Sequence, residues 1–240
     1  MSECEKIISE LKSFADPVRA INNSRFFKSN PGEYGEGDIF LGVTVPEVRE
    51  VSGRYTSVPL ATLGVLFDDS LHEVRLCAAI ILTLKYQAAA TLLEKRLLFE
   101  FYLEQIGLGR VNNWDIVDCS APVLGNYLTL VDNALDILTQ LATSNSLWER
   151  RVAIVATFAL MREGQLLPTY NVALLLLKDN ADLMHKATGW MLREMGKRDL
   201  SLLRKFLKEN SKNMPRTMLR YSIEKLSVEE RRNWLKISKI

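Results

Sequence analysis

A carboxylate and an indole one helical turn apart make a place for a cation, and Trp114 and Asp118 have that spacing. The face of the indole attracts positive charge and the carboxylate neutralises it. Asp115 lies on another side of the same helix, where it suits the positive end of the helix dipole. A second indole, Trp190, follows in a later segment. Tryptophan is also a common core residue, so spacing alone leaves two readings open for this pair, a ligand site or packing. Other arrangements carry less chemistry. Gly32, Gly35 and Gly37 lack the following Lys-Ser/Thr and the strand-to-helix setting of a phosphate loop. Ser120 lies close to Asp118, but neither His72 nor His185 is placed to serve as its base.

The elements that hold these residues are helical. Ile7, Ile8, Leu11, Phe14 and Ala15 make an apolar stripe at helical spacing, and almost no stretch alternates with period two. The clearest loop runs from Ser29 to Gly37. Polar start signals recur at Ser70, Asn113, Ser146, Asn180 and Asn213, at intervals of 43, 33, 34 and 33 residues. Ser70 with Glu73 and Ser146 with Glu149 have capping-box spacing. Units of this size, each with two helices, are expected of HEAT-like repeats, which bury their apolar faces by stacking into an α–α solenoid with a concave surface. The expected fold is therefore all-α, a single repeat domain over residues 1–240. Counting five positions from the start signals gives Arg75, Asp118 and Arg151, with His185 and Lys186 near the next equivalent position, as a row on one face.

Composition limits the alternatives. The chain has 240 residues, 48% hydrophobic and 25% charged, as in a soluble globular protein. Its longest apolar runs, Cys77 to Leu82 and Val172 to Leu177, fall far short of the roughly 20 residues that span a membrane. No apolar segment follows a basic head at the N-terminus, so a cytoplasmic location is expected. Three separated cysteines do not suggest a disulfide framework, and no cysteine pair has metal-ligand spacing, so no metal or other cofactor is expected. The net charge is only +2, but residues 186–240 carry 15 Lys/Arg against 6 Asp/Glu, a net of +9, and the rest carries −7. A basic C-terminal part reads either as a polyanion surface or as solvated helix faces.

Five segments together resemble the DNA alkylation repair (AlkD-like) glycosylases. They are Phe40 to Pro46 (FLGVTVP), Asn112 to Pro122 (NNWDIVDCSAP), Trp148 to Ile154 (WERRVAI), Lys186 to Glu194 (KATGWMLRE) and Met214 to Tyr221 (MPRTMLRY). The resemblance covers nearly the whole chain in order, and Trp-Asp-x-x-Asp is its specific element. It implies a monofunctional glycosylase that removes cationic N7- or N3-alkylated purines from double-stranded DNA. Trp114, Asp118 and Trp190 match the catalytic cleft of that family. Arg151, rather than Arg150, matches the arginine that engages the DNA backbone. Arg75, Arg193, Lys186, Thr44, Arg216 and Arg220 join it as expected DNA contacts. Thr44 stands where some members have an amide side chain. A monomer is expected, and the alternative reading is a non-catalytic homologue that binds branched or damaged DNA.

Overall fold

The computed structural model describes residues 1–237, which contain fourteen α-helices and one short 3-10 segment. They form two compact units, Met1–Leu124 and Gly125–Ile240. The first holds α1 (Glu3–Ser13), α2 (Pro17–Phe26), α3 (Val45–Arg54), α4 (Leu60–Phe67), α5 (His72–Ala88), α6 (Leu92–Gly107) and α7 (Trp114–Leu124). The second starts with the 3-10 segment Gly125–Leu130. It continues with α8 (Ala134–Ala142), α9 (Leu147–Arg162), α10 (Leu167–Leu175), α11 (Asp182–Arg198), α12 (Leu200–Asn210), α13 (Arg216–Ser222) and α14 (Val228–Ile237).

Each unit is layered in the same way. In the first, α3, α5 and α7 pack in sequence, and α4 and α6 lie against α5. In the second, the 3-10 segment, α9, α11 and α13 form the row, with α8 and α10 against α9 and α12 against α11. This alternation is the packing of helix-pair repeats, in which each pair covers the apolar face of the next. The central helices are therefore buried nearly all round: every residue from Val74 to Leu82 in α5 is buried, Arg75 included, as is every residue from Val152 to Ala156 in α9. The all-helical expectation holds. Among the described residues no helix is long and apolar enough to cross a membrane.

Local chemistry explains several boundaries. Asp16 accepts from the N–H groups of Val18 and Arg19, and Pro17 opens α2, where a missing N–H costs nothing. Thr91 and Glu94 form a capping box at α6. Ser146 caps α9 by accepting from Glu149 N–H, but the box is not closed, because Ser146 N–H donates to Ser144 Oγ at 3.0 Å and not to Glu149; Asn113 directly precedes α7. The other three expected starts move. Helices α5, α11 and α13 begin after Leu71, Ala181 and Pro215 rather than after Ser70, Asn180 and Asn213. At α5 the reason is a tertiary demand. Glu73 does not fold back on Ser70; its carboxylate accepts from the N–H groups of Leu41 (2.9 Å) and Gly42 (2.8 Å). The first stripe is shorter than expected too: Ile7 and Leu11 are buried, whereas Ala15 lies beyond α1 and is exposed.

Close approach of α11 and α13 sets one further requirement. A Cβ added at Gly189 would lie 2.5 Å from the Met218 carbonyl oxygen and 2.6 Å from Tyr221 Cβ. Gly189→Ala must push the helices apart, and the expected loss is about 1–3 kcal/mol, as for other overpacked sites. Urea unfolding checks this; an unchanged midpoint would contradict the tight contact.

Candidate functional site

Helix α7 presents Trp114 and Asp118 one turn apart, both half-buried. The Trp114 ring stacks on Phe27, with centroids 5.2 Å apart and planes 18° from parallel. Phe26 meets it edge-on at 5.9 Å. Phe27 also stacks on Phe40 at 5.2 Å, and the His72 ring lies 4.9 Å from Phe27 and 4.7 Å from Phe40. The indole thus sits on a platform of rings drawn from the end of α2, the following loop and the start of α5.

Beneath this platform lies a polar network. His72 is only 2% exposed. Its Nδ1 is 3.0 Å from Asp38 Oδ2 and its Nε2 is 2.8 Å from Asp115 Oδ2. Asp38 also accepts from Arg75 Nη2 and, at 2.9 Å, from Asn113 Nδ2. The other oxygen of Asp115 accepts from Ile116 N–H at 2.8 Å, and Asn113 Oδ1 accepts from Trp114 N–H at 2.8 Å. Burial opposes charge on the imidazole, but Asp115 and Asp38 more than offset it and push the His72 pKa up to about 9. Burial would likewise raise Asp38, but the His72 hydrogen bond, the Arg75 charge and the Asn113 amide hold it below the usual carboxylate range. Among the described residues no His, Cys, Asp and Glu side chains group as a metal site. Asp38 and Asp115 meet opposite nitrogens of one ring and do not converge on a point.

The structure revises several expected roles. Arg75 is 5% exposed, ion-paired with Asp38, and donates to the Asp69 carbonyl at 2.7 Å. The DNA contact expected there gives way to a buried structural pair. Thr44 donates from both its N–H and its hydroxyl to Glu47, each at 2.7 Å, so its side chain is occupied at the start of α3. Asp115 does serve its own first turn, as expected, but it also reaches His72. Ser120 is buried, bonded to the Tyr102 hydroxyl at 2.8 Å and donating to the Ile116 carbonyl at 2.6 Å, the position of a packing hydroxyl.

In the second unit Arg150 and Arg151 have different tasks. Arg150 pairs with Asp179 at 2.6 Å and donates to the carbonyls of Ser144 and Asn145, a staple across the start of α9. Arg151 is 4% exposed and donates to the Leu183 carbonyl at 2.8 Å. Lys186 pairs with Asp182 at 2.7 Å and shares a face of α11 with half-buried Trp190, one turn on. Arg193 is held by Glu194 and Glu224. Arg216 is exposed and donates to the Leu235 carbonyl at 2.8 Å, and Arg220 is exposed. Counted from the helix starts, Asp118, Arg151, Lys186 and Arg220 are each the fifth residue of α7, α9, α11 and α13. Arg75 is the fourth of α5, and falls out of that register.

Sequence reasoning missed Phe26, Phe27, Phe40, Asp38 and His72. The one available signal was a histidine opening a long, largely apolar helix, since a buried imidazole needs polar partners.

The model of the family described as "DNA alkylation repair enzyme" matches residues 7–226. Among solved structures, a predicted DNA alkylation repair enzyme from Enterococcus faecalis shares the fold with a TM-score of 0.69 at 19% identity. The match covers 89% of this chain and 97% of that one. No curated protein matches the chain significantly in sequence.

The buried network makes stability depend on pH. His72 has a higher pKa folded, about 9, than its ordinary 6.5, so its contribution is complete below about pH 6.5 and is lost as pH rises through 9. Asp38 acts in the opposite sense, contributing above its ordinary 3.8 and losing that as pH falls. Urea unfolding should show a decline of about 2–3 kcal/mol between pH 6.5 and 9.5 that His72→Gln largely abolishes. Parallel pH curves for the two proteins would contradict a charged His72.

Proposed function

Since the chain belongs to the family of DNA alkylation repair enzymes, we propose that it is a glycosylase that hydrolyses the N-glycosidic bond of cationic N7- or N3-alkylated purines in duplex DNA. Membership makes it an enzyme of alkylation repair with DNA as its partner. The observation that supports the finer reading is Asp118 beside Trp114 on one face of α7, with the indole backed by Phe27.

An N7-alkylated purine already carries positive charge and leaves as a neutral base, so it needs no general acid. That suits a protein whose two histidines are otherwise engaged, His72 between two carboxylates and His185 at the Asp179 carbonyl. As the glycosidic bond stretches, positive charge develops on the deoxyribose. In this reading the Asp118 carboxylate stabilises that charge and orients the attacking water. Trp114 packs on the sugar, and Trp190 is the second indole. Lys186, Arg193, Arg216 and Arg220 hold phosphates and carry no sequence information; for Arg193, this requires exchange of its Glu224 partner, and for Arg151, buried and bonded to the Leu183 carbonyl, a phosphate contact requires the side chain to leave that carbonyl. The whole chain acts as one DNA-binding domain and as a monomer.

Incubation with duplex DNA containing N7-methylguanine, with free base measured, tests the reaction. The wild type should release base, and Asp118→Asn should be about 100-fold slower or more with DNA binding retained. Equal rates would remove Asp118 from the chemistry, and no release by the wild type would favour a non-catalytic DNA-binding role. Duplex affinity should also fall steeply with salt, about −0.9 in log–log slope per phosphate neutralised. A flat salt response would contradict backbone binding.

A further inference from the structure

We propose that His72 is a positioning residue for the candidate site: as an imidazolium bridging Asp38 and Asp115, it fixes the first turn of α7 and with it the placing of Trp114 and Asp118. The inference rests on the glycosylase reading for its kinetic consequence, but its structural part stands apart from it.

Geometry favours the charged ring. A neutral imidazole has one donor and one acceptor nitrogen. Here both nitrogens face carboxylate oxygens, at 3.0 and 2.8 Å, so a neutral ring would set a lone pair against one of them. Only the doubly protonated form donates to both. The charged groups around it balance. Asp38 comes from the loop before α3, Arg75 from α5 and Asp115 from α7; with His72 they sum to zero. Glu73, next to His72, is turned to the backbone of Leu41 and Gly42. Phe27 and Phe40 supply the remaining neighbouring rings and no titrating group.

Both carboxylates act on residues flanking Trp114. Asp115 follows it in sequence and binds the Ile116 N–H with its second oxygen. Asn113 precedes it and links Asp38 to the Trp114 N–H. The Trp114 side chain is then stacked on Phe27, whose ring also lies against His72. Backbone and ring of the indole are therefore referred to the same buried cation. Without the proton one carboxylate loses its donor, and the first turn of α7 loses a tether. Asp118, one turn further, moves with it. Displacements of this kind lower turnover without removing any group that touches the substrate.

The test uses the 240-residue chain and three readouts. Histidine labelled with nitrogen-15 should show His72 protonated on both nitrogens at pH 7 in the wild type, and titrating at clearly lower pH in Asp115→Asn. Amide hydrogen exchange over residues 112–120 should accelerate about tenfold or more in Asp115→Asn and His72→Gln, while α11 is unchanged. Base release should fall about 10- to 100-fold in kcat in both variants, with duplex affinity unchanged. Asp115→Asn keeps the side-chain shape, which covers the case in which His72→Gln does not fold. A neutral His72 at pH 7, or unchanged exchange in Asp115→Asn, would overturn the positioning role. If the wild type releases no base, the glycosylase reading fails, and the labelling and exchange results still decide the role of His72.

Discussion

One imidazole held between two carboxylates organises the first unit. Two acids buried near one another would repel and would each lose hydration, a combination that normally drives protonation or unfolding. His72 and Arg75 supply the two compensating charges, and Asn113 supplies a further donor to Asp38. The consequence is mechanical as well as electrostatic. The loop carrying Asp38, the start of α5 and the start of α7 are joined at one ring. The aromatic platform of Phe27, Phe40 and Trp114 lies directly against that junction.

In the proposed reading this arrangement separates support from chemistry. The residues with the strongest electrostatic demands are inside and paired, whereas Trp114 and Asp118 are half-buried on an adjoining helix face. In the second unit the same division appears between Arg150, tied to Asp179 and two carbonyls, and Lys186, which keeps a largely solvated ion pair with Asp182. Exposed pairs of that sort are weak, which suits the phosphate contact proposed for Lys186. A leaving group that is already cationic makes such a site sufficient for the proposed reaction, because stabilising the sugar cation is then the main task.

Short-range features of both fold and site were legible in the sequence. Helical periodicity at Ile7 and Leu11, the cap at Ser146, and the shared face of Trp114 and Asp118 all depend on neighbours within one or two turns. Features that depend on distant partners were not. Arg75 had the spacing of a surface cation, but Asp38, 37 residues earlier, draws it inside. Ser70 and Glu73 had the spacing of a capping box, but the Leu41 and Gly42 amides outcompete it for the carboxylate. Gly189 reads as an unfavourable residue within a helix until α13 is seen to pack against it. The histidine network spans 34 residues to Asp38 and 43 to Asp115, beyond any local pattern.

The account is tested most directly by a crystal structure of the protein on duplex DNA with a cationic azasugar in place of the lesion nucleotide, a mimic of the charged sugar. It predicts the Asp118 carboxylate at hydrogen-bonding or ion-pairing distance from the azasugar nitrogen, Trp114 against the sugar ring, and His72 still bridging Asp38 and Asp115. An azasugar bound away from α7, or Asp118 turned from it, would contradict the assignment of this helix face to the chemistry.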